Sequence, residues 1–335
     1  MSPAAPTDDR GVVLFFRGFR GADGATRFSG GDLKVWHYFQ HVESSSGFRP
    51  VLRTGSALPP DNPWSGRPDV VVGRFGHVDP AVYFLAGMNW NRLPRRRRLH
   101  PRRPVINLVQ HIRHADERDP KRGFLQYPAI RICVAPEVAE AIRATGDVRG
   151  PVITIPNATD VDVDMSVPLS SRAIDIAVIG NKRPQVTREV AARLERPDRR
   201  VHVLDGLVAR PEFLAVLARS RLAVFVPRRL EGFYLPALEA MALGTVVVCP
   251  DSVGNRSFCR DGETCWFAPN DVDALVSRAE AAWAADADVT EGIRRRAADE
   301  AARHDLAGER RAFLEVLADL PGLWEQALSA TASPV

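Results

Sequence analysis

Glu231 and Glu239 stand eight positions apart in the stretch EGFYLPALEAMALG, Glu231–Gly244. Gly232, the aromatics Phe233 and Tyr234, and the pair Leu235-Pro236 lie between them. Ionised carboxylates accept hydrogen bonds from paired hydroxyls, so the spacing suits a polyhydroxylated ligand held at two points. Pro236 fits the first turn of a helix, where its missing N–H costs nothing. Glu231 then belongs to a loop and Glu239 to the first turns of the helix that follows. A helix N-terminus adds unpaired N–H groups and a positive dipole end, a seat for an anion such as phosphate.

Three further groups could do chemistry. Gln110, His111, Arg113, His114, Asp116 and Glu117 cluster just beyond the strand Val105–Val109. His111 is the candidate proton shuttle or donor, and His114 reads as a solvated loop histidine. Gly180-Asn181-Lys182-Arg183 follows the strand Asp175–Ile179 and offers cations to an anion. Asp160, Asp162 and Asp164 alternate in DVDVD; in an extended chain they face one way and suit Mg²⁺ or Mn²⁺. The competing reading of DVDVD, which we prefer, is a polar interdomain linker.

The elements that must position these residues alternate along the chain. Val12–Phe16 reads as a buried strand, and Arg17–Gly31 is a loop rich in Gly and Arg. Ser29 with Asp32 forms a capping box for a helix carrying Leu33, Trp36, Phe39 and Val42 on one stripe. Strand, glycine loop and helix make a phosphate-approach geometry at Gly30 and Gly31, although GxGxxG is absent. Arg49–Leu52 and Val70–Val72 read as strands and Pro80–Ala86 as a helix. Arg131–Ala135 and Val152–Ile155 read as strands around the helix Glu137–Ala144. The second half predicts strands at Asp175–Ile179, Val201–Leu204, Leu222–Val226, Thr245–Cys249 and Thr264–Phe267. Helices are expected at Val186–Leu194, Glu212–Ala218, Val272–Ala285, Gly292–Ala302 and Leu306–Leu320. This alternation means α/β architecture with parallel sheets covered on both faces. We expect two doubly wound Rossmann-like domains, 1–165 and 166–304, with a C-terminal helix over 305–328 packing back toward the first.

Length and composition agree. A chain of 335 residues accommodates two domains, and 45% hydrophobic with 26% charged residues is ordinary for a globular protein. A net charge of +4 does not indicate a nucleic-acid binder. Arg95–Arg98 with Arg102 and Arg103 form a basic run, which we read first as a solvated loop and otherwise as a patch for anionic lipid or an anionic acceptor. Cys133, Cys249, Cys259 and Cys265 lack CxxC spacing, which favours reduced thiols. MSPAAPTDD is no signal peptide, and no apolar run reaches the ~20 residues that span a bilayer, so a cytoplasmic protein is expected, at most peripheral to the inner membrane face.

EGFYLPALEAMALG, followed by TVVVCPDSVGNRSFCRDGETCWFAPND, resembles the carboxyl domain of GT-B glycosyltransferases. The pattern is similar to glycosyltransferase family 4, with its E-x7-E glutamates. The resemblance extends from about Asp175 to Ala285, with weaker matches at Ser29-Gly30-Gly31, His111 and Ile155-Pro156-Asn157. It implies a retaining sugar transfer from a nucleotide-diphosphate donor with no bound metal and no cofactor. It also implies roles. Glu231 would bond the donor sugar, and the backbone N–H groups of Gly232, Phe233, Tyr234 and Leu235 would face sugar and diphosphate. Glu239 would hold the ribose. Lys182 and Arg183 would meet the diphosphate, Gly30 and Gly31 would close on the donor, and His111 would stand near the reacting centre. Asn181-Lys182-Arg183 departs from the usual arginine and spaced lysine, and Pro227-Arg228-Arg229 replaces the usual Pro-Ser. Tyr234 replaces a common glycine and would narrow the sugar pocket; Ala158 replaces the glycine usual after the asparagine. A metal-dependent DxD transferase and a non-catalytic glycan- or nucleotide-binding subunit are the alternatives. The acceptor is not readable.

Overall fold

Short, nearly continuous apolar runs become strands buried on both faces, because a parallel sheet is covered by helices above and below. In this computed structural model, residues 9–19, 28–55, 57–58, 62–73 and 77–330 are described. Seven parallel strands form the first sheet: β1 Gly11–Arg17, β2 Phe48–Thr54, β3 Val71–Val72, β4 Val82–Ala86, β5 Val105–Val109, β6 Ile130–Cys133 and β7 Val152–Thr154. Their order is β3-β2-β1-β4-β5-β6-β7. Five parallel strands form the second: β8 Ile174–Ile179, β9 Val201–Leu204, β10 Ser220–Phe225, β11 Val246–Pro250 and β12 Trp266–Ala268, ordered β12-β11-β10-β8-β9. Each order reverses direction once, between β1 and β4 in the first sheet and between β8 and β10 in the second. Ligands of doubly wound sheets bind outside the carboxyl ends of strands at such switch points.

The helices are α1 Gly30–Glu43, α2 Arg95–Leu99, α3 Pro136–Arg143, α4 Pro184–Leu194, α5 Arg210–Ala218, α6 Leu235–Ala242, α7 Val272–Ala284, α8 Ala287–Ala302, α9 Leu306–Ala318 and α10 Leu320–Ser329. Five of them (α3, α4, α5, α6 and α10) carry proline in the first turn, where its missing N–H costs nothing. Ser29 caps α1 in a full capping box with Asp32. Gly244 (φ +62) ends the α6 segment in the left-handed region that glycine adopts without strain.

The segment Pro80–Ala86 is not a helix. Val82–Ala86 is strand β4, fully buried between β1 and β5. A short run of β-branched and aromatic residues in the centre of a parallel sheet satisfies its backbone through both neighbours, which outweighs the helix-start signal of Pro80. The helix expected at Leu306–Leu320 is α9, and the expected C-terminal helix over 305–328 is two, α9 and α10, divided at Asp319. The basic run is not an irregular loop throughout: Arg95–Leu99 forms a helical turn whose Arg97 reaches the Tyr83 hydroxyl at 3.2 Å.

Phe313, Val316, Leu317 and Leu320 complete the core of the first sheet together with Val35, Tyr38, Phe39 and Val42 of α1. The chain therefore crosses between the sheets twice. The two crossings run side by side: Thr159 donates to the His304 carbonyl at 2.9 Å, and His304 Nδ1 lies 3.0 Å from the Asn157 carbonyl. Beneath them Lys34 Nζ meets the Glu309 carboxylate at 2.6 Å and the Ala158 carbonyl at 3.1 Å, while Ala158 N–H donates to Glu309 at 2.8 Å. His41 Nε2 completes the cluster, 3.0 Å from Glu309.

Candidate active site

The loop after β10 leaves the second sheet at its switch point and carries Glu231. Glu231 N–H donates to the Ser252 carbonyl at 2.9 Å, which fixes the loop against the segment after β11. The carboxylate is almost fully buried and holds Lys182 Nζ at 2.7 Å through Oε2, while Arg228 N–H approaches Oε1 at 3.3 Å. Lys182 comes from the loop after β8, the other strand of the switch point. Its side chain is 43% exposed, so one face of the ammonium remains open to a ligand.

Glu239 lies one turn into α6 and is buried at 3% exposure. Arg210, the first residue of α5, donates to its Oε1 at 2.6 Å and also pairs with Asp160. Burial pushes the Glu239 carboxyl up from its ordinary range, and the Arg210 charge opposes that shift. Among the described residues no group bonds Glu239 Oε2, which leaves an acceptor oxygen beside the helix. Arg210 is not among the residues named from the sequence, and Asp160 enters there only within DVDVD, not as a neighbour of Glu239. Their partners lie 29 and 50 positions away in sequence, and only the Arg-Pro start of α5 hinted that Arg210 sits at a helix end.

Arg183 does not stand free at the strand ends. It bonds the Asn270 side chain at 2.5 Å and the Pro227 carbonyl at 3.3 Å, tying three loops of the second sheet together. Arg228 and Arg229 are exposed. Of the backbone donors expected to face the ligand, Tyr234 N–H is used by the Gly254 carbonyl at 3.1 Å. The Tyr234 ring turns into the second core and packs edge-on against Phe225, so it does not narrow the pocket. The Phe233 ring lies tilted against Phe258, centroids 4.9 Å apart, and touches both cores. Leu235 packs on the second core.

The first domain supplies the facing wall. His111 follows β5, and its Nδ1 accepts from Arg113 N–H at 3.0 Å. Nε2 therefore carries the proton, and the Leu230 backbone favours the protonated ring. Burial first, then Arg113, pushes His111 down to about 4, while Glu231 pulls the other way. At neutral pH it is an uncharged N–H donor beside Glu231. His114 is not solvated: it is 2% exposed, folded under the turn Arg122–Gln126, and burial holds it at about 3. Its side chain belongs to the packing of this loop, since the short turn Ile112–Ala115 rotates it inward. Gly31 is held through its carbonyl by Gln110 Nε2 at 3.1 Å, and Gly30 opens α1 with no atom within 4 Å of a Cβ placed there. The loop between Arg17 and Phe28 falls mostly outside the described residues.

The two walls come together backbone to backbone at Gly232. A Cβ built on Gly232 would overlap the Gln110 carbonyl oxygen and stand 2.7 Å from His111 Cα. Gly232 thus lets the glutamate loop and the β5 loop approach backbone to backbone. The three aspartates of DVDVD do not converge. Asp160 faces Arg210, Asp164 Oδ1 closes a turn on Ser166 N–H at 2.9 Å, and Asp162 is exposed. Among the described residues no three His, Cys, Asp or Glu side chains are placed to share a metal ion. The four cysteines are buried thiols.

Two doubly wound sheets, joined by paired crossings and facing each other through the loops at their strand ends, define the GT-B class of glycosyltransferase fold. Within the chain, residues 163–284 match the family model described as Glycosyl transferases group 1. No curated protein matches the chain. Solved structures share the fold at low identity. A sucrose-phosphate synthase from Thermosynechococcus elongatus matches with TM-score 0.70 and 14% identity, over 93% of this chain and 100% of that one. Anabaena HepE in complex with UDP and glucose matches with TM-score 0.67 and 12% identity, over 92% and 100%. An α,α-trehalose 6-phosphate synthase from Burkholderia multivorans matches with TM-score 0.64 and 12% identity, over 97% and 100%.

Proposed function

We propose that this protein transfers a sugar from a nucleotide-diphosphate donor, with retention and without a metal ion or other cofactor. The observation that carries the proposal is the Lys182–Glu231 pair at the switch point of the second sheet, with neutral His111 of the first domain beside it. HepE, solved with UDP and glucose, shows that this fold accommodates such ligands. In our reading the ribose hydroxyls meet Glu239 Oε2, and the diphosphate lies between the start of α6 and Lys182. The donor sugar lies between Glu231 and the ring of His111. When the sugar–phosphate bond breaks, negative charge grows on the leaving phosphate. Lys182 and the N-terminus of α6 are already placed to meet it, so little reorganisation is needed. Arg228 and Arg229 are the next cations in reach, and Arg183 acts by holding the loops. Closure across Gly232 excludes water, which limits hydrolysis of the donor.

The exposed guanidinium groups of Arg95–Arg103 are proposed to rest on an anionic membrane face on the cytoplasmic side. Among the described residues no helix is long and apolar enough to cross a membrane. The test of the whole reading is turnover of UDP-, GDP- and ADP-sugars by the purified chain in EDTA, with Glu239→Ala alongside. The expected result is turnover in EDTA by the native protein, and nucleotide affinity weakened about 10- to 100-fold by the substitution. A strict metal requirement would return attention to Asp160, Asp162 and Asp164. Unchanged nucleotide affinity in Glu239→Ala would remove that residue from the donor site.

A further inference from the structure

Most arginines that border the cleft are already engaged. Arg17 pairs with Asp32, Arg183 with Asn270, and Arg210 with Glu239 and Asp160. Arg92 is different: it is exposed, and among the described residues no carboxylate pairs with it. It ends the turn Gly87–Arg92 that follows β4, the strand at the switch point of the first sheet. The turn is rigidly seated. Asn89 Nδ2 bonds the Phe16 carbonyl of β1 at 2.6 Å, and Trp90 and Leu93, on either side of Arg92, are buried at 0% and 3%. From this seat the guanidinium reaches over the carboxyl ends of β1 and β2. Its Nη2 lies 3.3 Å from the point where a Gly18 side chain would begin, and Nη1 3.7 Å from the same point at Gly55. Bare glycine backbone thus lies beside a cation that, among the described residues, has no partner and that projects from a seated turn at the place where an open α/β sheet receives ligands.

We infer that Arg92 recognises an anionic group, phosphate or carboxylate, on the acceptor, and so that the acceptor is an anionic molecule. This rests on the transferase reading above, which assigns the donor to the second domain and leaves the first switch point to the acceptor. A guanidinium fork matches a phosphate or carboxylate at two points, which is why Arg rather than Lys is suited to the position. Free in solution or carried on a lipid headgroup, the acceptor's anion presents the same chemistry to Arg92.

The experiment is calorimetry with the donor cleft first saturated by UDP, so that added anions cannot occupy the diphosphate site. Inorganic phosphate, glucose 1-phosphate and glucose are then titrated into native protein, Arg92→Gln and Arg92→Lys. Co-sedimentation with phosphatidic acid or phosphatidylcholine vesicles forms the lipid arm. The expected result is at least tenfold weaker anion binding in Arg92→Gln, an intermediate value in Arg92→Lys, and equal behaviour toward glucose. If the dependence on Arg92 appears only with phosphatidic acid vesicles, the anion is lipid-borne. Equal binding of every anion by native protein and Arg92→Gln, or none by either, overturns the inference. Arg92→Gln should melt with the native protein, since the side chain touches no core group, and Arg92→Lys tests the site independently of that. UDP binding is read first in the same cell, so its absence counts against the donor reading alone.

Discussion

At the residue scale, the site depends on what each charge already touches. Lys182 is the one diphosphate candidate whose partner, Glu231, belongs to the same pocket and whose ammonium is still partly open. Arg183 is committed to Asn270 and Pro227. Lys182→Ala is therefore expected to lower kcat/KM by ~10²-fold, the scale of losing one preplaced charge stabiliser. Steady-state kinetics on the donor identified in the sugar panel checks this; full activity would place the diphosphate elsewhere. The placement of Glu231, Glu239, Lys182 and His111 was legible because each lies at a strand end or a helix start with a chemically distinct side chain. Arg210 was not legible, because nothing local marks an arginine that will neutralise a carboxylate on another helix. Tyr234 was misread for the same reason: whether a ring faces a pocket or a core is set by α6 packing on β10, not by its neighbours in sequence.

At the element scale, strand ends and helix starts do the positioning. The loop after β10 and the loop after β5 meet backbone to backbone at Gly232. Gly232→Ala must separate Gln110 and His111 from the glutamate loop. A shift of this kind is expected to cost ~10²-fold in kcat, because reacting groups displaced by about 1 Å lose alignment. Circular dichroism establishes that the variant is folded, and an active variant would show that this approach is not needed. The same scale explains the error at Pro80–Ala86, where a buried run of five residues was placed by its two neighbouring strands. It also explains α1. The stripe Leu33, Trp36, Phe39 and Val42 was visible, but Lys34, His37 and His41 are buried as well. Their cover is α9, which arrives from about 270 positions further along the chain.

At the scale of the whole molecule, that buried cluster joins the last helices to the first domain. Burial alone would raise the Glu309 carboxyl, but Lys34 and the hydrogen bonds from Lys34 and His41 overcome it and hold it at about 2. Glu309→Gln leaves Lys34 buried without its partner charge and is expected to destabilise the protein by about 3–5 kcal/mol in urea unfolding. A change under about 1 kcal/mol would show the cluster to be dispensable. Acid should act through the same groups. Burial is the first cause holding His37 at about 3, His111 at about 4 and His114 at about 3, all below the ordinary 6.5. The unfolded chain protonates these histidines as pH falls through 6.5, while the folded chain cannot until pH 3–4. Stability should thus be full above about pH 6.5 and decline below it. Glu309, depressed from 4.5 to about 2, adds stability present above 4.5 and lost as pH falls toward 2, with the same sign. Melting temperature measured from pH 7.5 down to 4 should therefore fall steadily; a maximum near pH 5 would contradict it.

The sequence by itself determined the α/β class and the parallel alternation, and it marked the ionisable groups that stand at strand ends and helix starts. Those follow from local signals: apolar runs of strand length, prolines at helix starts, and ionisable groups at the ends of elements. Only the tertiary structure decided which charges meet. It paired Glu239 with Arg210 and Glu231 with Lys182, buried His114, dispersed the three aspartates, and left Arg92 unpaired over the first sheet. The physical reason is that an ion pair or a burial depends on two surfaces brought together by folding, and a sequence shows each surface separately.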